Sequence, residues 1–232
     1  MSSDPRLMAS RRPGGRKELA PHLGGTGRLA DDLFLMAHND VTGKPHLQPR
    51  AAGLGLAGAL MGELMLLGKI WVQPDGTIVA DPTPAEDVLT GSLLGLLRSE
   101  QNRARDWLLF LGRTAARDVA RRLANAGYLA RDSARRPWRE ERWVPVDPDC
   151  AFAPLIRVIP ALTPSRAVTF EGACLAGLAY ACGLGPRMFA YAPPNATRRC
   201  LDSAVARLPP GLHHLITQTQ AAVDSAVLSQ RV

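Results

Sequence analysis

From Gly53 to Ile70 the chain reads GLGLAGALMGELMLLGKI, with Glu63 and Lys69 as its only charges. Leu56, Leu60, Leu64 and Leu67 recur at the three-to-four spacing of one helix face. Leu54, Met61, Met65 and Leu66 make the other sides apolar as well. A helix that is apolar nearly all round lies inside a protein core or a membrane. The stretch is about one bilayer long, yet glycines interrupt it and Glu63 sits near its middle. We therefore expect the central helix of a soluble helical domain, with a membrane span as the second reading. Gly55, Gly58 and Gly62 recur at helical spacing, so other backbones are expected to approach closely there.

The same pattern, followed along the chain, predicts mostly helices. Residues 29–38 read as a short helix or turn with Leu33, Phe34 and Met36 facing inward. A loop with turn residues Asn39, Asp40, Gly43 and Pro45 follows. Residues 70–80 read as a β-hairpin around Asp75 and Gly76. Helices are expected over residues 87–97, 103–112 and 113–126, the last stopped by Gly127. The segment from Tyr128 to Asp147 reads as a second, longer hairpin with a polar, basic tip. Helices over residues 155–159, 165–183, 186–190, 198–208 and 212–228 complete the chain, and the charge-free run 173–184 is expected beside the central helix. Residues 1–27 hold Arg11, Arg12, Arg16 and Lys17 among Gly, Pro and Ser and read as a disordered basic tail. Residues 28–232 read as one globular domain. The expected class is mainly α: central apolar helices wrapped by amphipathic ones, with one or two β-hairpins.

Composition adds two constraints. Aromatic residues are only 5% of the 232, so core volume must come from Leu, Ala, Val and Met. The net charge of +7 favours an anionic partner, such as nucleic acid, acidic lipid or a phosphorylated ligand. Cys150, Cys174, Cys182 and Cys200 form no CxxC pair and show no zinc-ligand spacing, so we expect reduced thiols in a cytosolic setting, no metal and no cofactor. No apolar run follows the basic N-terminal residues, so no secretory signal is expected.

The positive charge is concentrated. From Arg113 to Trp143 there are nine Arg against four acids, a net of +5. Leu111, Ala115, Val119 and Leu123 form one face of the predicted helix, and Arg113, Arg117 and Arg121 form another, with Arg122 beside them. Guanidinium groups at that spacing present forked donors in one direction, an arrangement suited to phosphate. The hairpin adds Arg131, Arg135, Arg136, Arg139 and Arg142 around Trp138, with Trp143 at its return strand. A Trp among arginines suits the headgroup layer of a membrane, or a contact between copies. The alternative is a winged-helix-like nucleic-acid binder, with the same helix in the groove and the hairpin as wing. Catalytic arrangements are weak. His213 and His214 diverge on a helix, Asp31 and Asp32 with His38 match no known site, and no P-loop, GxSxG or HExxH is present. A non-enzymatic role is expected.

Four segments, LADDLFLMAHNDVTGK, GLAGALMGELMLLGKI, DVARRLANAGYL and ACLAGLAYACGLGPRMFA, resemble the Golgi phosphoprotein 3 family and occur in its order over residues 28–228. The Ala-, Gly- and Arg-rich composition suggests a bacterial member. The resemblance implies a helical domain that attaches peripherally to membranes from the cytoplasm and binds phosphatidylinositol 4-phosphate. It also implies capture of cytosolic tails of membrane proteins and self-association through the 128–147 hairpin. The family's four headgroup positions fall on Gln48, Ala57, Arg113 and Ala116, so only Arg113 keeps the family residue. Arg50, Arg117 and Arg121 are the candidates to rebuild a basic pocket with it, binding phosphatidylinositol 4-phosphate or a related acidic headgroup.

Overall fold

The structure, a computed structural model, describes residues 25–85, 87–132, 142–164, 166–190 and 194–229. Its elements run α1 (Leu29–Met36), α2 (Pro49–Leu66), β1 (Ile70–Val72), β2 (Ile78–Ala80), α3 (Val88–Ser99), α4 (Ala104–Leu111), α5 (Ala115–Asn125), β3 (Leu129–Arg131), β4 (Trp143–Pro145), α6 (Pro148–Arg157), α7 (Ile159–Leu162), α8 (Phe170–Ala181), α9 (Gly185–Met188), α10 (Pro194–Ala206) and α11 (Pro210–Leu228). The fold is mostly helical, as the apolar periodicity predicts. The strands form two antiparallel hairpins, with Ile70 opposite Ala80 and Leu129 opposite Pro145.

The predicted central helix is α2, and every residue from Ala51 to Leu64 is buried. It begins four residues earlier than the apolar run suggests. Pro49 occupies the first turn, where its missing N–H would have had no helical partner. It ends at Gly68, whose positive φ of 66° turns the chain into β1. Helices α1, α4, α5, α8 and α11 pack around it. The run 173–184 lies beside it, as expected, in α8 and its C-terminal turn. Among the described residues no helix is long and apolar enough to cross a membrane.

The glycines of α2 are where neighbours come closest. A Cβ on Gly55 would lie 2.0 Å from Cys182 Sγ, and one on Gly58 would lie 2.6 Å from Thr219 Oγ1 of α11. The closest backbone contact is one the pattern did not single out. At Gly53 a Cβ would stand 2.1 Å from the carbonyl oxygen of Gly112, in the turn between α4 and α5. That approach fixes the turn against the first turns of α2.

One expectation shifts here. Arg113 does not start the basic helix; it lies with Thr114 in the α4–α5 connection, because α4 ends at Leu111 and α5 starts at Ala115. The apolar face of Leu111, Ala115, Val119 and Leu123 is buried as predicted. All four cysteines are free, and burial pushes the Cys174 and Cys182 thiols up to about 12, which leaves them protonated and inert.

Candidate functional site

The arginines of α5 separate into two kinds. Arg122 turns inward, with its side chain 8% exposed. Its Nε donates to Asp31 Oδ1 at 2.8 Å. Its Nη1 and Nη2 donate to the two oxygens of Glu63 at 2.9 and 3.1 Å, and Nη1 also donates to Asp87 Oδ2 at 3.0 Å. Glu63 further accepts the Ala30 amide, while Asp87 caps α3 through the Thr90 amide and pairs with Arg28 at 2.9 Å. One guanidinium thus ties α1, α2, α5 and the start of α3 together. Beside it, Asp32 is fully buried; it accepts the Thr26 amide at 2.7 Å and pairs with Arg157 of α6.

The electrostatics follow from that crowding. Burial lifts the Asp31 carboxyl from 3.8 to about 6, against the pull of Arg122. Asp32 is lifted in the same way, against hydrogen bonds from Thr26 and the charge of Arg157. At Asp87 burial also acts upward, but the Thr90 amide and Arg122 outweigh it and its carboxyl titrates below the ordinary range. Burial opposes the charge on Arg122, yet Glu63, Asp31 and Asp87 together hold it protonated.

A carboxyl that holds its proton more tightly in the folded chain stabilises the fold below its unfolded pKa. That contribution is lost as pH rises through the folded value. For Asp31 the change between pH 5 and pH 7 is about 1 kcal/mol, from a folded value near 6. His38, stacked on Phe34, slopes the other way, because burial disfavours its charge. Comparison with Asp31→Asn removes that background. The stability difference between wild type and variant, from urea midpoints, should shift toward the variant as pH rises from 5 to 7. A difference that stays flat would show that Asp31 does not titrate in that interval.

The outward arginines do not form one row. Arg50, in the first turn of α2, and Arg113 line a single surface pocket of about 440 Å³ with Pro49, Leu54, Leu109 and Gly112. Among the described residues neither has a carboxylate partner. Leu109, in its lining, is partly exposed, and Phe110, the next residue of α4, is 52% exposed. Arg117 pairs with the adjacent Asp118 at 3.2 Å, an exposed contact of little energetic weight. Arg121 opens onto a different groove of about 640 Å³, shared with Arg28, Asp31, Asp87, Asp118 and Arg122. With three acids and three arginines, that groove offers an anion little net attraction.

Arg135, Arg136, Trp138 and Arg139 lie outside the described residues. Trp143 begins β4 half-buried, with its side chain packed against the core. The return strand of the hairpin is fastened to the loop before α2. Arg142 donates to the Thr42 carbonyl, and a Cβ on Gly43 would collide with the Trp143 carbonyl oxygen.

A family model described as Golgi phosphoprotein 3 (GPP34) matches residues 29–227, spanning α1 to α11. The chain belongs to the Golgi phosphoprotein 3 family. Among curated proteins, none matches it. Of the positions aligned with the Golgi phosphoprotein 3 headgroup site, Gln48 is the exposed N-cap of α2 and Ala116 is half-buried. Ala57 is fully buried and carries no charge to the surface. The positive groups that share a pocket are Arg113, at a family position, and Arg50, which enters from the first turn of α2.

The three-carboxylate cluster around Arg122 was missed from sequence, although two signals were present. Glu63 inside an apolar helix requires a buried cation. Arg122 stands seven residues after the buried Ala115, on the same side of α5, whereas Arg121 is turned by about 100° from it.

Proposed function

We propose that this protein is a peripheral membrane protein, acting by binding rather than catalysis, that holds acidic lipid headgroups in the Arg50–Arg113 pocket. The observation that carries the reading is two arginines in one pocket, neither with a carboxylate partner among the described residues, with the exposed Leu109 in the same lining and the exposed Phe110 next to it on α4. The guanidinium groups would face lipid phosphate, and the two apolar side chains would enter the layer beneath it. Family membership adds phosphatidylinositol 4-phosphate as the headgroup to test first. The nucleic-acid alternative needs Arg113, Arg117, Arg121 and Arg122 on one helix face; since Arg113 precedes α5 and Arg122 is buried, no observation favours it.

The test is co-sedimentation with phosphatidylcholine vesicles, alone or carrying phosphatidylserine or phosphatidylinositol 4-phosphate. Near an anionic surface each basic residue is worth about 1 kcal/mol. The double variant Arg50→Ala, Arg113→Ala should therefore bind acidic vesicles about thirtyfold more weakly than wild type. Raising salt should weaken the wild type toward the variant. Equal binding by both proteins, or binding that ignores the acidic lipid, would remove the proposal.

A further inference from the structure

A second basic surface lies elsewhere on the molecule and shares no residue with the Arg50–Arg113 pocket. Two adjoining grooves run along α6, α7 and the start of α8 to α10. The first, of about 480 Å³, is lined by Ile156, Ile159 and Pro160 together with Arg157, Thr169 and Glu171. Ile156, Ile159 and the neighbouring Phe170 are large apolar side chains left exposed. The second, of about 350 Å³, is lined by Arg166, Arg199 and Arg207 with the hydroxyl-bearing Thr163 and Ser203. Pro160, Arg166 and Val168 line both, so the two grooves are continuous.

The three arginines of the second groove have no carboxylate partner among the described residues. That sets them apart from Arg157, which Asp32 neutralises, and from Arg198, which pairs with Asp202 at 2.8 Å. Arg199, Ser203 and Arg207 are four apart in sequence, on one side of α10 and its end. The surface thus offers unpaired forked donors and hydroxyls at one end and uncovered aliphatic side chains at the other. An occupant that carries anionic groups and apolar groups in that order fits it. A bilayer is flat and meets a protein over a broad face, whereas these two concave grooves run on from each other, so that a single extended chain can lie along both.

We propose that this groove docks an acidic, partly apolar segment of a partner protein. Eight helical residues from Arg199 to Arg207 advance about 12 Å. An extended chain covers that span in about four residues. The fitting segment therefore has two acidic residues about four apart, followed by branched apolar residues that cover Ile156 and Ile159. Carboxylates meet Arg199 and Arg207 as charge-assisted hydrogen bonds, and Arg166 lies at the junction of the polar and apolar halves.

The experiment is fluorescence anisotropy of the full chain with a labelled synthetic peptide that carries two glutamates four apart and a run of leucines. The same peptide with glutamine for glutamate is the control. The wild type should bind the glutamate peptide, more weakly as salt rises. Arg199→Glu with Arg207→Glu, and separately Ile156→Ser with Ile159→Ser, should each weaken binding by about tenfold or more with the helical circular dichroism unchanged. The Arg50→Ala, Arg113→Ala variant should bind the peptide as wild type does, which keeps this result separate from the headgroup pocket. No binding at millimolar peptide, equal affinity for the glutamine control, or unchanged affinity in the groove variants would overturn the proposal. So would a loss of vesicle binding, without a loss of peptide binding, in Arg199→Glu with Arg207→Glu, since the face would then meet membrane.

Discussion

The Arg122→Ala variant is expected to lose about 3–5 kcal/mol of stability in urea denaturation, because it strips the shared cation from three carboxylates. Domains of this kind are stable by only about 5–15 kcal/mol, so the variant should accumulate poorly and melt early. The loss comes less from the broken attractions than from what remains: Asp31 and Glu63 buried with no positive partner. Arg122→Lys should recover only part of it, because one ammonium cannot reproduce a fork that reaches Asp31, Glu63 and Asp87 at once. The control is the adjacent residue. Arg121→Ala, on an exposed side chain, should change stability by less than about 0.5 kcal/mol. Matching urea midpoints for the Arg122→Ala and Arg121→Ala variants would contradict the structural role given to the cluster.

Gly53→Val should cost about 3 kcal/mol and also weaken vesicle binding, with every arginine still in place. The first Cβ atom would already lie 2.1 Å from the Gly112 carbonyl oxygen. Both sides of that contact are backbone, so no flexible side chain can move aside. The extra methyl groups must push α4 and its following turn off α2, a strain of the overpacking kind. Arg113 is the next residue in that turn, and it would move away from Arg50, which is anchored on α2. Denaturation midpoints read the first effect, and co-sedimentation with acidic vesicles reads the second. Wild-type stability would mean that the two backbones are not in close contact. Lost stability with unchanged vesicle binding would mean that the distance between the two arginines does not matter.

How far the sequence could be read depended on whether a residue's role was local. The central helix was legible because eighteen nearly uncharged residues from Gly53 to Ile70 admit few other states. Gly127, with a φ of 84°, was legible as a helix stop for a similarly local reason. The placement of Arg113 was not, since the Leu111–Ala115 face runs through the break between α4 and α5 and hides it. Arg50 and Arg113 are 63 residues apart in sequence, and their segments meet only in the fold, where Gly53 and Leu54 pack against Gly112. Counting arginines at a spacing of four likewise could not separate Arg122 from its neighbours; that required knowing that α1 presents Asp31, and α2 presents Glu63, to the same point.

Adjacent positions on α5 therefore differ sharply in what they tolerate. Arg121 and its exposed neighbours can be recharged, neutralised or exchanged without endangering the protein, whereas the codon that follows is locked by three acids elsewhere in the chain. Redesigning surface charge should be straightforward on the outer side of this helix and nearly forbidden one step inward.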